Sequence, residues 1–291
     1  MFSLSKILLP VDFSERSACA VRYAIPLAEQ FHSEITLLHV LAPVVPPPHE
    51  YPELYVGAIP DDYLAERRAR ATRDLENFPV SGAEYPRLSR MLVEGDAARQ
   101  IADFARTGSF DLILMPTHGH GPFRRLLLGS VTAKVLHDTS CPVWTSVHAE
   151  TLPFYGMPFR YVLCALDLGP SSPQTLRWAA GIAAAVQATL GIVHVVPLDP
   201  RTEAYYFSPE WRARTLETSR SQIDAIQAAE NTKAEVQLES GDIRQGVCDT
   251  ARRLHADLLI TGRGGAAGMT GRLASHTYSI IRDSPCPVVS V

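Results

Sequence analysis

The feature that most constrains this 291-residue chain is that its first half recurs in its second. Lys6-Ile-Leu-Leu-Pro-Val-Asp12 aligns with Tyr161-Val-Leu-Cys-Ala-Leu-Asp167, and Arg22-Tyr23-Ala24 with Arg177-Trp178-Ala179. His39-Val40 aligns with His194-Val195, all at a constant offset of 155 positions. Further on, Val93-Glu-Gly-Asp96 parallels Glu239-Ser-Gly-Asp242, Asp111-Leu-Ile-Leu parallels Asp257-Leu-Leu-Ile260, and Cys141-Pro-Val143 parallels Cys286-Pro-Val288. A unit this long is too large for a solenoid repeat and marks duplication of a whole domain. The expected domains are 1–148 and 158–291, joined through the turn-rich stretch His148 to Pro158, which lacks any period.

Within each half, apolar runs alternate with amphipathic ones. Lys6–Asp12 reads as a buried strand ending in a carboxylate. Ser14 and Ser17 can cap the helix that follows, and Ala20, Val21, Ala24, Leu27, Ala28 and Phe31 fall on its inner face. In the second half Ser172-Pro173 predicts an N-cap followed by proline at the first helical position. Glu34–Leu41 is a second strand. Ala42–Pro60, with six prolines and Tyr51 and Tyr55, predicts an extended surface loop. A charged helix is expected over Asp61–Phe78 with Leu64, Ala71, Leu75 and Phe78 on a thin apolar stripe, and its counterpart over Pro209–Ala229, after a loop from Pro197 to Ser208. Each half therefore reads strand–helix–strand–loop–helix–strand–helix–strand–helix–strand. Continuous apolar strands argue for parallel sheets covered on both faces. The predicted fold class is α/β: two open, twisted, parallel five-stranded sheets with helices on both faces, Rossmann-like and duplicated in tandem. The last strands, Val143–Val147 and Val288–Val291, are apolar edges that need covering, which predicts that the halves pack about a pseudo-twofold axis.

Composition enters by exclusion. A net charge of −4 provides no basic field to recruit nucleic acid. Arg67, Arg68, Arg70 and Arg73 alternate with acids and read as a solvated face. No apolar run approaches the roughly 20 residues of a membrane span, and the opening residues lack a signal-peptide layout. Five cysteines set mostly in apolar runs read as reduced, buried hydrophobes, which points to the cytoplasm.

The chemistry concentrates in Met115–Ser130, Met-Pro-Thr-His-Gly-His-Gly-Pro-Phe-Arg-Arg-Leu-Leu-Leu-Gly-Ser, between a buried strand and a helix with Ser130 as its expected N-cap. Free amide groups at a helix N-terminus, together with the helix dipole, can cradle an anion there, and Gly119, Gly121 and Gly129 supply conformational freedom. The same residues also fit an ordinary strand-to-helix turn. In open parallel sheets, ligands sit beyond the carboxyl ends of strands where the strand order reverses, and Asp12 ends the first strand beside that loop. Asp12 equally suits a turn or capping role.

Taken in order, Val-Asp at the end of the first strand, Leu-His-Val closing the second, Gly-Asp before the third helix, the glycine loop after the fourth strand and Cys-Pro-Val at the fifth resemble a tandem universal stress protein. The resemblance covers nearly the whole chain and implies the adenine-nucleotide alpha-hydrolase type of fold. Many members of that family bind ATP with a loop of the form Gly, two residues, Gly, nine residues, Gly, then Ser or Thr; others lack it and do not bind. The first half keeps Gly119, Gly129 and Ser130 but has Pro116 in place of the leading glycine, losing one backbone donor. The second keeps Gly262 and Gly265 but has Ala274-Ser275 at a spacing one residue shorter. If that position requires positive φ, alanine is strained there.

Carried over residue by residue, the resemblance places ATP, with Mg²⁺ a further option, against the strand ends Pro10, Val11, Asp12, Met115 and Thr117. Asp12 would hold adenine or ribose and Val40 the base, while His118, Gly119, Gly129, Ser130, Val131 and Thr132 would face phosphates. In the second half Asp167, Val195, Gly262, Gly265 and Ser275 would correspond. The resemblance also implies dimer-like packing through the last strands, within the chain or as a homodimer. No metal site is expected, although His118 and His120 flank Gly119. Arg124 and Arg125 suit either γ-phosphate contact or solvent. No catalytic residue is assigned, since a P-loop lysine and a carboxylate cluster for Mg²⁺ are both missing. The function implied is a stress-response regulator that binds an adenine nucleotide, mainly in its first domain, without fast chemistry. The alternatives are a scaffold of the same fold that has lost its ligand, and a slow ATPase.

Overall fold

A computed structural model of the chain describes residues 2–44, 59–80, 85–117, 128–146, 159–197, 209–263 and 273–291. The first half contains β1 (Lys6–Pro10), α1 (Glu15–Phe31), β2 (Glu34–Leu41), α2 (Asp61–Glu76), β3 (Leu88–Glu94), α3 (Ala97–Thr107), β4 (Leu112–Pro116), α4 (Ser130–Asp138) and β5 (Val143–Ser146). The second repeats the order with β6 (Tyr161–Ala165), α5 (Ser172–Ala185), β7 (Thr189–Pro197), α6 (Pro209–Ala229), β8 (Glu235–Gly241), α7 (Ile243–Arg253), β9 (Leu258–Thr261), α8 (Leu273–Asp283) and β10 (Val288–Ser290).

Strands with no polar face need cover on both sides, and β1 shows how the two-residue period provides it. Ile7 and Leu9 enter one core with Val21 of α1, Leu75 of α2, Ile182 of α5 and Ile223 of α6. Leu8, between them, enters the other core with Ile101 of α3, Val135 of α4, Val247 of α7 and Ile280 of α8. The result is three layers with one sheet in the middle. Its order is β3-β2-β1-β4-β5-β10-β9-β6-β7-β8. All neighbours are parallel except β5 and β10, which run antiparallel with Trp144 opposite Val289. This corrects the expectation of two separate five-stranded sheets. Each terminal strand satisfies the open edge of the other, and the halves merge into one ten-stranded sheet.

Several local signals hold and several shift. Ser14 caps α1, its side chain accepting from the Ser17 amide at 3.2 Å. Asp96 and Asp242 cap α3 and α7 in the same way, at 3.0 and 2.8 Å. The glycines before them, Gly95 and Gly241, have φ of +141° and +126°, which excludes a side chain without strain. Asp111 and Asp257 each accept two backbone amides, from Ser5 and Lys6 and from Arg160 and Tyr161, tying the starts of β1 and β6 to those of β4 and β9. The caps expected at Ser130 and Ser172 each lie one residue earlier, at Gly129 and Ser171. The carbonyls of Gly129 and Ser171 accept from Ala133 and Thr175, so the helical ladder already begins there. Helix α2 ends at Glu76, not Phe78, and Leu64 is 41% exposed, because only the C-terminal part of the helix, Ala71 and Leu75, reaches the sheet. All five cysteines are free and buried, and among the described residues no helix is long and apolar enough to cross a membrane.

Candidate functional site

β1 has β2 on one side and β4 on the other. The chain thus leaves β1 in one direction and returns to its opposite flank, and the connections diverge at the carboxyl ends of β1 and β4, leaving a crevice. A cavity of about 280 Å³ occupies that crevice, and the duplicated position between β6 and β9 holds one of about 270 Å³.

The first cavity is walled by Pro10, Val11 and Asp12 from the end of β1, Val40 from β2, Met115 from β4, and Gly129, Ser130, Val131 and Thr132 from the start of α4. Nine of the residues singled out from the sequence therefore meet in one place. Thr117 lies beneath this wall: it is buried, and its carbonyl accepts the Gly129 amide at 2.8 Å. The Thr132 hydroxyl donates to the Pro116 carbonyl at 3.1 Å, so α4 is fastened to the strand end from both chains of the loop. His118, Gly119, His120, Gly121, Arg124 and Arg125 lie outside the described residues. In the second cavity Asp167, Val195 and Gly262 are present, with His276 and Thr277 from α8. Gly265 and the side chains of Ala274 and Ser275 lie outside the described residues.

Gly129 has φ of −60°, which any residue adopts. The strain expected of Ala274 at the corresponding position therefore has no counterpart in the first half. What glycine contributes at 129 is not a left-handed backbone.

Both carboxylates are fastened to the helix that follows them. Asp12 Oδ1 accepts from the Ser14 amide at 3.1 Å and from the hydroxyls of Ser14 and Ser17 at 2.5 Å each. Asp167 Oδ1 accepts from the Gly169 amide and the Ser172 hydroxyl, both at 2.9 Å. The capping role thus exists, and it fixes each carboxylate's orientation at the rim of its cavity.

Two residues per half escaped the sequence reading. His39 and His194 line the cavities, and the Nδ1 of each lies 2.8 Å from a carbonyl, that of Val11 and of Leu166. A carbonyl can only accept, so Nδ1 carries a proton and the ring pins the strand end next to each carboxylate. The following residues, Phe13 and Leu168, have φ of 64° and 60°. A left-handed conformation costs roughly 1–2 kcal/mol outside glycine, and here it recurs at matching positions. The Phe13 ring stacks on His39 with centroids 4.2 Å apart, which helps to hold that turn. The available signal was a histidine repeated inside an otherwise apolar strand.

Among the described residues no cluster of three histidine, cysteine or carboxylate side chains could hold a metal. Arg263, directly after Gly262, turns away from the cavity and donates to the carbonyls of Thr139, Cys141 and Ser290. Burial lowers its guanidinium to about 10, so it remains a cation at neutral pH.

A family model described as the universal stress protein family matches residues 4–146 and again 158–291. A universal stress protein of Methanocaldococcus jannaschii is 30% identical over 140 residues, covering 47% of this chain and 79% of its own. One of Mycolicibacterium smegmatis is 24% identical over 294 residues, covering 98% of this chain and 96% of its own. The crystal structure of a universal stress protein from Archaeoglobus fulgidus is similar over 99% of this chain and 98% of that one, with a TM-score of 0.69 at 23% identity, and so shares the fold. With both halves matched in sequence and arranged in the same duplicated sheet, the chain belongs to the universal stress protein family and carries two copies of its domain.

Proposed function

We propose that the protein is a stress-response regulator that binds an adenine nucleotide, ATP in the first instance, in the cavity between β1 and β4. It works in the cytoplasm without nucleic acid, and its domains are 1–148 and 158–291. The observation that carries this reading is the convergence of a fixed carboxylate, the backbone of β2 and the N-terminus of α4 on one cavity of about 280 Å³. Such a cleft has one end suited to a nucleoside and the other to an anion. Four consecutive residues from the α4 N-terminus, Gly129–Thr132, line it and supply its anion end, and the first half is the main site in this reading because it keeps the Gly129-Ser130 pair where the second has Ala274-Ser275. Asp12 and Val40 hold the nucleoside, and Gly129, Ser130 and Thr132 hold phosphate with His118 and Gly119. Asp167, Val195, Gly262, Gly265 and Ser275 form the weaker counterpart. Ground-state binding of this kind does not lower a barrier, so hydrolysis, with Mg²⁺ present, is slow. Pro116, which removes a donor from the loop, favours the second reading, a ligand-free scaffold of the same fold.

Calorimetric titration of ATP into the parent and into Gly129→Asp tests the site: a tighter binding phase in the parent that is lost in the variant, leaving only the weaker one, supports it. No binding in the parent leaves the scaffold. Single-turnover phosphate release with excess Mg²⁺ tests the chemistry. A rate near about 1 s⁻¹, the low end for enzymes, would replace the binding protein with an ATPase.

A further inference from the structure

The helices that open on the two cavities also touch each other. Thr132 lines the first cavity and Thr277 the second. The residues immediately after them meet: the Tyr278 hydroxyl donates to the Ala133 carbonyl at 3.0 Å. Ala133 and Tyr278 are equivalent in the repeat, at an offset of 145 shared with Cys141 and Cys286, so this contact lies where the halves face one another. The far end of α4 is held from the same side. Arg263, beside Gly262 of the second cavity, grips the carbonyls of Thr139, which ends α4, and of Cys141, which precedes β5. Only the second half supplies these groups, since the equivalents are Ala133 and Thr117.

We propose that the two cavities are coupled, with α4 clasped at both ends by the second half so that a nucleotide in one tightens binding in the other. This rests on the nucleotide reading given above. A ligand held at the start of α8 orders Tyr278, and Tyr278 then fixes the first turn of α4 that the other ligand uses. The second ligand meets a helix already ordered, which is the physical basis of positive coupling. Coupling between sites of this kind is typically about five- to 150-fold in affinity.

The experiment is ATP calorimetry on the full chain, comparing the parent with Gly129→Asp and Ala274→Asp, which leave one usable cavity each. Coupling requires that the product of the two stepwise association constants in the parent exceed the product of the two single-site constants by about fivefold or more. In Tyr278→Phe, which removes one hydroxyl and keeps the ring, the ratio should fall toward one, and Arg263→Lys provides a second, independent loosening of the clasp. A ratio of one in the parent overturns the coupling and leaves the nucleotide sites standing. A large ratio that survives both clasp variants overturns the route through α4. Failure of ATP to bind any of the chains overturns the nucleotide reading and the coupling with it.

Discussion

Substitution of Asp12 separates the two jobs its position allows, capping α1 and holding a ligand. Its Oδ1 accepts one amide at 3.1 Å and two hydroxyls at 2.5 Å. Hydrogen bonds to a charged group contribute about 1.5–3 kcal/mol and neutral ones about 0.5–1.5. Asparagine keeps an acceptor oxygen in the same place, so Asp12→Asn forfeits only the charge component of the two short bonds, about 1–2 kcal/mol. Alanine removes the acceptor altogether. Ser14 and Ser17 are both buried, and their hydroxyls, 3.3 Å apart, lose the acceptor each donates to. Asp12→Ala is therefore expected to cost about 3–4 kcal/mol. Urea unfolding reads this as a shift in midpoint at unchanged slope. ATP calorimetry on the same proteins reads the other job: if the carboxylate contacts the nucleoside, Asp12→Asn weakens binding by about tenfold or more, one lost charged bond, although it loses less stability than Asp12→Ala. Equal stability losses for the two variants would show that charge, not acceptor geometry, holds the cap. Unchanged ATP affinity in Asp12→Asn would reduce Asp12 to a capping residue.

His39→Leu leaves the Val11 carbonyl without its side-chain donor and should cost about 1–3 kcal/mol while weakening ATP binding; parent-like thermal unfolding and affinity would refute the pinning role. Burial pushes the thiols of Cys141 and Cys286 up to about 12 and that of Cys248 to about 11. All five thiols are buried, so the native chain should resist Ellman's reagent at pH 8 and release five equivalents once denatured; rapid reaction of Cys141, Cys248 or Cys286 in the native chain would contradict this. Asp283 is held down to about 2 by hydrogen bonds from Arg282 and Arg244, against the opposing effect of burial. A depressed folded value means stability present above about pH 4 and lost as pH falls toward 2. Discounted for partial exposure, the effect is about 1–2 kcal/mol. Asp283→Asn should flatten the acid limb of a stability–pH profile across that window, and an unaltered limb would refute the assignment.

Much of this was legible in the chain itself. Duplication followed from matched strings recurring in the same order, and the alternation of apolar strands with one-faced helices followed from periods of two and 3.6, which depend only on local backbone geometry. Asp96, Asp242 and Ser14 announced their helices because a cap is a contact within three residues. The placing of Asp12 at the crevice could be anticipated from strand order, and the gathering of Val40 and Gly129 with it was implied by the family resemblance. Tertiary structure decided what depends on groups distant in sequence. Edge strands β5 and β10 each pair on one side only within their own half, with β4 and β9, and nothing local dictates that their open edges pair with each other and merge two sheets into one. His39 stood in the sequence only as part of a repeated His-Val string, and folding alone brings the Val11 carbonyl within 2.8 Å of its ring. Arg263 carried no signal in the sequence, yet two of its three carbonyl partners lie more than 100 positions away. Hydrogen bonds that close long loops leave no periodic trace in a sequence, because their geometry is set by the packing of whole layers and not by the residues on either side.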